Sequence, residues 1–151
     1  MTKAAKITYL AALFFGLSIG AFFGFGYRSG VLDLHQSFRQ MRAVDALGHF
    51  SYLQYKHADP GHAAAALQTF ANMLEDMEKS KPEQEHRYDL VNTYTRLALL
   101  ADAANNPEQS RTYMAKAKSW DKAAGGGDLS DSQMKSAVKA KDEMYESLLM
   151  D

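Results

Sequence analysis

The chain begins with a strongly apolar stretch and continues as a polar region with helical periodicity. Residues 7–27, ITYLAALFFGLSIGAFFGFGY, contain no charged residue. As an α-helix this stretch is about 30 Å long, which matches the hydrocarbon core of a bilayer. Lys3 and Lys6 stand before it and Arg28 follows it, with a tyrosine near each end. This arrangement predicts a transmembrane anchor over residues 1–29.

A cleaved signal peptide is the alternative interpretation of the same stretch. Ser18, Gly20 and Ala21 offer only a poor cleavage site. Signal peptides also have a shorter apolar region, of about 7–15 residues, whereas bulky phenylalanines continue here almost to the end of the run. The pattern therefore favours a retained anchor.

Small residues recur every fourth position along the apolar stretch, at Ala12, Gly16, Gly20 and Gly24. This spacing puts them on one helix face. Because lipid supplies no hydrophobic drive for helix association, small residues that allow close backbone approach are typical of packing faces between membrane helices. The sequence predicts that this face packs either on a second copy of the chain or on a helix of another protein.

The anchor predicts an integral, single-pass membrane protein with the lipid bilayer as one partner. Basic residues near the two ends of the span are almost balanced in number, so they favour one orientation only weakly. The expectation is a cytoplasmic N-terminus and a periplasmic, or otherwise extracytoplasmic, domain.

Beyond residue 30 the hydrophobic spacing predicts five helices. The first runs from about residue 34 to 57, with a predicted buried face of Leu34, Phe38, Met41, Val44, Leu47, Phe50 and Leu53. Gly48 lies in the middle of this helix. It marks either a close helix crossing or only a loss of helix stability that the fold tolerates. Predicted helix starts follow at Asp59-Pro60, at Ser80 with Glu83, at Asn106-Pro107 and at Ser130 with Gln133.

These helices predict a domain over residues 30–127 and a separate C-terminal helix within residues 128–151. Three consecutive glycines at 125–127 mark the joint between them. The last helix either caps the open end of the helical stack or docks on a partner.

Residues 94–120, YTRLALLADAANNPEQSRTYMAKAKSW, resemble a tetratricopeptide repeat. The match consists of a bulky residue followed by Leu-Ala, a short polar turn, and small residues with one large apolar residue. The predicted packing residues of this repeat are Tyr94, Leu97, Ala98, Ser110, Met114 and Ala117.

A weaker copy of the repeat occurs at Phe50, Leu53, Ala66 and Phe70. It is out of step, because Ala66 lies 44 residues before the equivalent Ser110 rather than the usual 34. An unrelated small helical bundle is the alternative to the repeat. The resemblance implies an all-α stack of helical hairpins that binds other proteins.

Charge and composition exclude several classes of function. Two of the 17 lysines and arginines precede Arg28, so the remainder of the chain carries 15 basic residues against 18 acidic ones. This balance argues against nucleic-acid binding. The chain has no cysteine, which excludes disulfides and thiolate catalysis. Its five histidines form no metal motif, and no catalytic signature occurs, so no cofactor, metal site or enzymatic activity is expected.

The sequence thus predicts a non-enzymatic, membrane-anchored protein-interaction module. In its most concrete form it is an accessory subunit or assembly factor that contacts other membrane subunits through the anchor and the helical domain. The alternative is a self-assembling structural protein whose glycine face drives homo-oligomers. Mutation of Gly20 to leucine separates these two functions.

Overall fold

α-Helices joined by short turns make up the part of the chain that the computed structural model describes, residues 41–149. The helix over residues 41–57 is called α1. It is followed by α2 (Pro60–Ser80), α3 (Gln84–Ala103), α4 (Pro107–Ala123) and α5 (Asp131–Leu149). The predicted all-α class is confirmed for these residues. From Val44 onward they belong to one unit of the chain.

The structure corrects two predictions. One is the transmembrane helix in the predicted fold class, and the other is the integral-membrane location that depended on it. Within residues 41–149 no helix is both long and apolar enough to cross a bilayer. The reason is that each of these helices pairs its apolar face with a polar or charged one. The stretch interpreted as a span, with Ala12, Gly16, Gly20 and Gly24, lies outside the described residues.

Three of the predicted helix starts are confirmed by their cap hydrogen bonds. The Asp59 carboxylate accepts two backbone N–H groups of the first turn of α2, at 3.0 and 3.1 Å. Asn106 caps α4 by accepting a backbone N–H at 3.1 Å. Before α5, the Ser130 N–H donates to the Gln133 side chain at 2.9 Å, and the Gln133 N–H donates to the Ser130 hydroxyl at 3.3 Å. Short-range sequence signals suffice here because each cap bonds only to its own first turn.

The predicted capping box at the start of α3 is wrong. The Ser80 hydroxyl instead donates to the Met77 carbonyl at 2.9 Å, and Glu83 provides no side-chain cap. The Glu83 N–H donates to the buried carboxylate of Glu78 at 2.9 Å. Glu78 also pairs with Arg87, so a contact between α2 and α3 replaces the local cap.

Helix α3 runs antiparallel to both of its sequence neighbours, α2 and α4. Arg87, near the start of α3, contacts Glu78 near the end of α2 and donates to the Ala123 carbonyl at the end of α4, at 2.8 Å. Lys135 at the start of α5 bonds to Asp102 at the end of α3, at 2.7 Å, so α5 begins beside the end of α3. The core lies between α2, α3 and α4 with one residue of α5, and consists of Leu67, Phe70, Ala71, Leu74, Leu90, Tyr94, Leu97, Ala98, Met114, Ala117 and Met134.

The predicted buried face of α1 is largely wrong. Leu47 and Phe50 are exposed, and the residues buried instead are Ser51 and Tyr52. Gly48 explains part of this difference between the predicted and the observed buried face. The helix approaches α2 at Gly48, where a Cβ would lie 3.1 Å from the ring of Phe70. Of the two interpretations of Gly48, the structure supports the close helix crossing. The members of the predicted face before residue 41 lie outside the described residues.

Candidate functional site

A buried ion pair ties α3 to α5 at the side of the domain where α1 packs. Nη2 of Arg96 lies 2.5 Å from Oδ1 of Asp142, and Nε lies 3.2 Å from the same oxygen. The side chain of Arg96 is 13 % exposed and that of Asp142 is 4 % exposed. The positive charge of Arg96 is therefore already neutralised within the domain.

Two tyrosines of α1 complete this junction. The Arg96 guanidinium lies 5.0 Å from the ring centroid of Tyr52 and 5.8 Å from that of Tyr55, which is cation–π distance. The Tyr52 hydroxyl donates to the backbone carbonyl of Asp142 at 3.1 Å, and its ring meets Tyr145 edge-on at 5.2 Å. Burial, and next the negative charge of Asp142, raise the pKa of both Tyr52 and Tyr55. Both phenols are therefore neutral at physiological pH.

Next to this junction, and lined in part by its Tyr52 and Arg96, lies a groove with a cavity volume of about 200 Å³. Its walls come from four helices. The lining residues are Val44, Asp45, Gly48, His49 and Tyr52 of α1, Phe70 of α2, Asp89, Asn92, Thr93 and Arg96 of α3, and Lys141 and Tyr145 of α5. We call this site the α1–α3–α5 groove.

Asp89 is the distinctive polar group of the α1–α3–α5 groove. Its side chain is half-buried, and burial raises the pKa of its carboxyl, an effect that the nearby positive charge of Lys141 opposes. Among residues 41–149, no group forms a hydrogen bond or ion pair with this carboxylate. Its oxygens nevertheless remain in contact with solvent. Within residues 41–149, the one fully buried side-chain polar atom without a hydrogen-bond partner is Nδ1 of His86, so the unpartnered oxygens of Asp89 are not fully buried. Asp89 is thus a half-buried carboxyl that another group can still reach.

The six residues predicted to pack the repeat all lie where α3 meets α4, and all are buried. Tyr94 is fully buried, and its hydroxyl donates to Glu75 at 2.6 Å and accepts from Lys116 at 3.0 Å. The Ser110 hydroxyl accepts from Lys135 at 3.1 Å, while Leu97, Ala98, Met114 and Ala117 fill the core. These side chains are therefore separate from the α1–α3–α5 groove, although α3 carries residues of both.

The groove residues were not identified from the sequence, although α3 carries a signal for them. Asp89, Asn92, Thr93 and Arg96 have the spacing i, i+3, i+4, i+7, which is one continuous polar face. Such a face is normally interpreted as solvated. The partners that bury it come from α1, about 45 residues earlier, and from α5, about 50 residues later, and no local pattern identifies them.

The structure places no group of three metal-ligating side chains together within residues 41–149. Of the two histidines that flank the second helix start, His57 is exposed and the ring of His62 contacts the capping carboxylate of Asp59. Comparison with models of known protein families gives no match, and comparisons with curated proteins and with solved structures give no significant match.

Proposed function

We propose that this chain is a non-enzymatic protein–protein interaction module that acts as an accessory subunit or assembly factor of a multiprotein complex. The observation that carries the proposal is the α1–α3–α5 groove: an aromatic and polar depression framed by rigidly joined helices. Helices that are held in place by such contacts are preorganised, so a partner that binds between them causes little loss of conformational entropy.

The position of the groove agrees with the tetratricopeptide-like arrangement that we propose for the helices. In such stacks the first helix of each hairpin lines the binding surface. If α3 and α4 form one such hairpin, then α1 and α3 are first helices and α5 caps the stack. The groove lies between these three helices, with one side chain from α2.

Affinity isolation of the full chain tests this function. The test variant is Asn92→Phe, because Asn92 is half-buried in the groove and a phenyl ring would fill much of the 200 Å³ cavity. The matched control is Thr112→Phe, since Thr112 is exposed on α4 and lies away from the groove. Partners and their ratios are quantified by mass spectrometry, and helix content is checked by circular dichroism.

The proposal predicts a partner in fixed stoichiometry with the wild-type chain and with Thr112→Phe, and loss of that partner with Asn92→Phe. Recovery of the chain alone, as an oligomer of itself, would contradict the proposal and favour a self-assembling structural protein. Equal recovery of the partner by both variants would show that binding occurs outside the groove.

A further inference from the structure

The size of the α1–α3–α5 groove limits what it receives. Sites for complete small-molecule ligands usually have volumes of roughly 300–1,000 Å³, whereas this groove has about 200 Å³. It therefore suits one inserted side chain of a partner better than a whole free ligand.

The charges that line the groove favour a cation. Arg96 is neutralised by Asp142, which leaves Asp45, Asp89 and Lys141 as the other charged lining residues. Within the described part of the chain, none of these three has an ion-pair partner. Lys141 and Asp45 are exposed and solvated, so an additional surface ion pair would stabilise them little. Asp89 is half-buried and has lost part of its hydration, and the nearby charge of Lys141 forms no ion pair with it, so a cation in direct contact compensates it more.

Aromatic rings line the same space as Asp89. Phe70 and Tyr145 come from α2 and α5, and Tyr52 comes from α1. Aromatic faces attract ammonium and guanidinium groups and pack against the methylene stems of long basic side chains. The carboxylate of Asp89 can therefore pair with the charged end of a lysine or arginine side chain, while the aromatic rings pack against its methylene stem.

From this combination of volume, charge and aromatic lining we infer that the α1–α3–α5 groove receives a lysine or arginine side chain of the partner protein, with Asp89 as its counter-ion. This inference rests on the proposed function and specifies the chemistry of the partner. It requires that the partner expose a basic residue in the segment that docks on α1, α3 and α5.

Titration of the isotope-labelled full chain with short peptides, followed by amide NMR shifts, tests the inference. The probes are acetyl-Gly-Ala-Xaa-Ala-Gly-amide with lysine, arginine, norleucine or glutamate at the central position. Norleucine has a stem similar to that of lysine but no charge. The test variant is Asp89→Asn, which keeps the shape of the side chain and removes its charge. The control is Asp128→Asn, because Asp128 is exposed in the loop before α5.

The inference predicts shifts at groove amides with the lysine and arginine peptides, and an affinity at least about tenfold weaker for the norleucine peptide, as expected for a charge-assisted hydrogen bond. Asp89→Asn should remove this preference and Asp128→Asn should retain it. Asp89→Lys should invert it in favour of the glutamate peptide.

Equal binding of the lysine and norleucine peptides, or an unchanged preference in Asp89→Asn, would overturn the inference. Absence of any groove shift with the basic peptides would also overturn it. The proposed function is judged separately, because recovery of a partner by affinity isolation does not depend on these peptides.

Discussion

Replacement of Arg96 by alanine is expected to destabilise the domain severely. The substitution leaves the Asp142 carboxylate, whose side chain is 4 % exposed, without its counter-ion. Loss of one partner from a buried ion pair costs about 3–5 kcal/mol. The net stability of a domain of this size is about 5–15 kcal/mol, so the loss is about a fifth of the total or more.

Urea unfolding and thermal melting of the full chain, followed by far-ultraviolet circular dichroism, measure this effect. The melting temperature should fall by at least about 10 °C. Arg111→Ala is the matched control, because Arg111 is exposed on α4 and its guanidinium contacts only the Pro107 carbonyl of its own helix among the described residues. It should change the free energy of unfolding by no more than about 0.5 kcal/mol.

The double variant Arg96→Met, Asp142→Leu separates charge burial from packing. Replacement of a buried ion pair by apolar side chains of similar volume is often neutral or stabilising, so this variant should be much more stable than Arg96→Ala. The reasoning is refuted if Arg96→Ala costs no more than Arg111→Ala.

Three further tests, each with its own substitutions, address other parts of the fold. Tyr94→Phe removes a buried hydroxyl that bridges a carboxylate and an ammonium group. It should lower the free energy of unfolding in urea by about 1–2 kcal/mol. Tyr113→Phe is the control and should lower it less, because the hydrogen bond of the Tyr113 hydroxyl is exposed. Asn105 has φ of 54°, so Asn105→Ala should cost about 1 kcal/mol and Asn105→Gly almost nothing in the same assay. Lys135→Met should reduce the loss of melting temperature on acidification, because the Lys135 hydrogen bond lowers the pKa of Asp102 below its usual 3.8. The stabilisation from that lowered pKa is present above 3.8 and is lost as the pH falls through the lowered value.

The helix order and most helix starts could be predicted because their causes are local. Asp59 before Pro60 and Asn106 before Pro107 combine a side-chain cap with a residue that needs no backbone donor. The ends of α3 and α4 also have a local cause. Asn105 and Gly125 adopt φ of 54° and 82°, and in each case the N–H of the following residue bonds back to a carbonyl of the last turn, at 2.8 Å.

Predictions that depended on distant partners were less successful. The face of α1 was predicted from Leu47 and Phe50, yet Tyr52 is buried because its hydroxyl and ring contact α5, about 90 residues later. The α1–α3–α5 groove was missed for the same reason. Asp89 on α3 has the appearance of a solvated residue until α1 and α5 are placed beside it.

Site-specific photo-crosslinking tests the central claim most directly, namely that a partner protein docks in the α1–α3–α5 groove. p-Benzoylphenylalanine replaces Tyr145, which lines the groove and is 42 % exposed, or Tyr113 on α4 as an aromatic-for-aromatic control. The full chain is irradiated in cells and its adducts are identified by mass spectrometry. The account predicts one distinct partner protein crosslinked from position 145 and not from position 113. Adducts only between copies of this chain, or a partner captured equally from both positions, would contradict it.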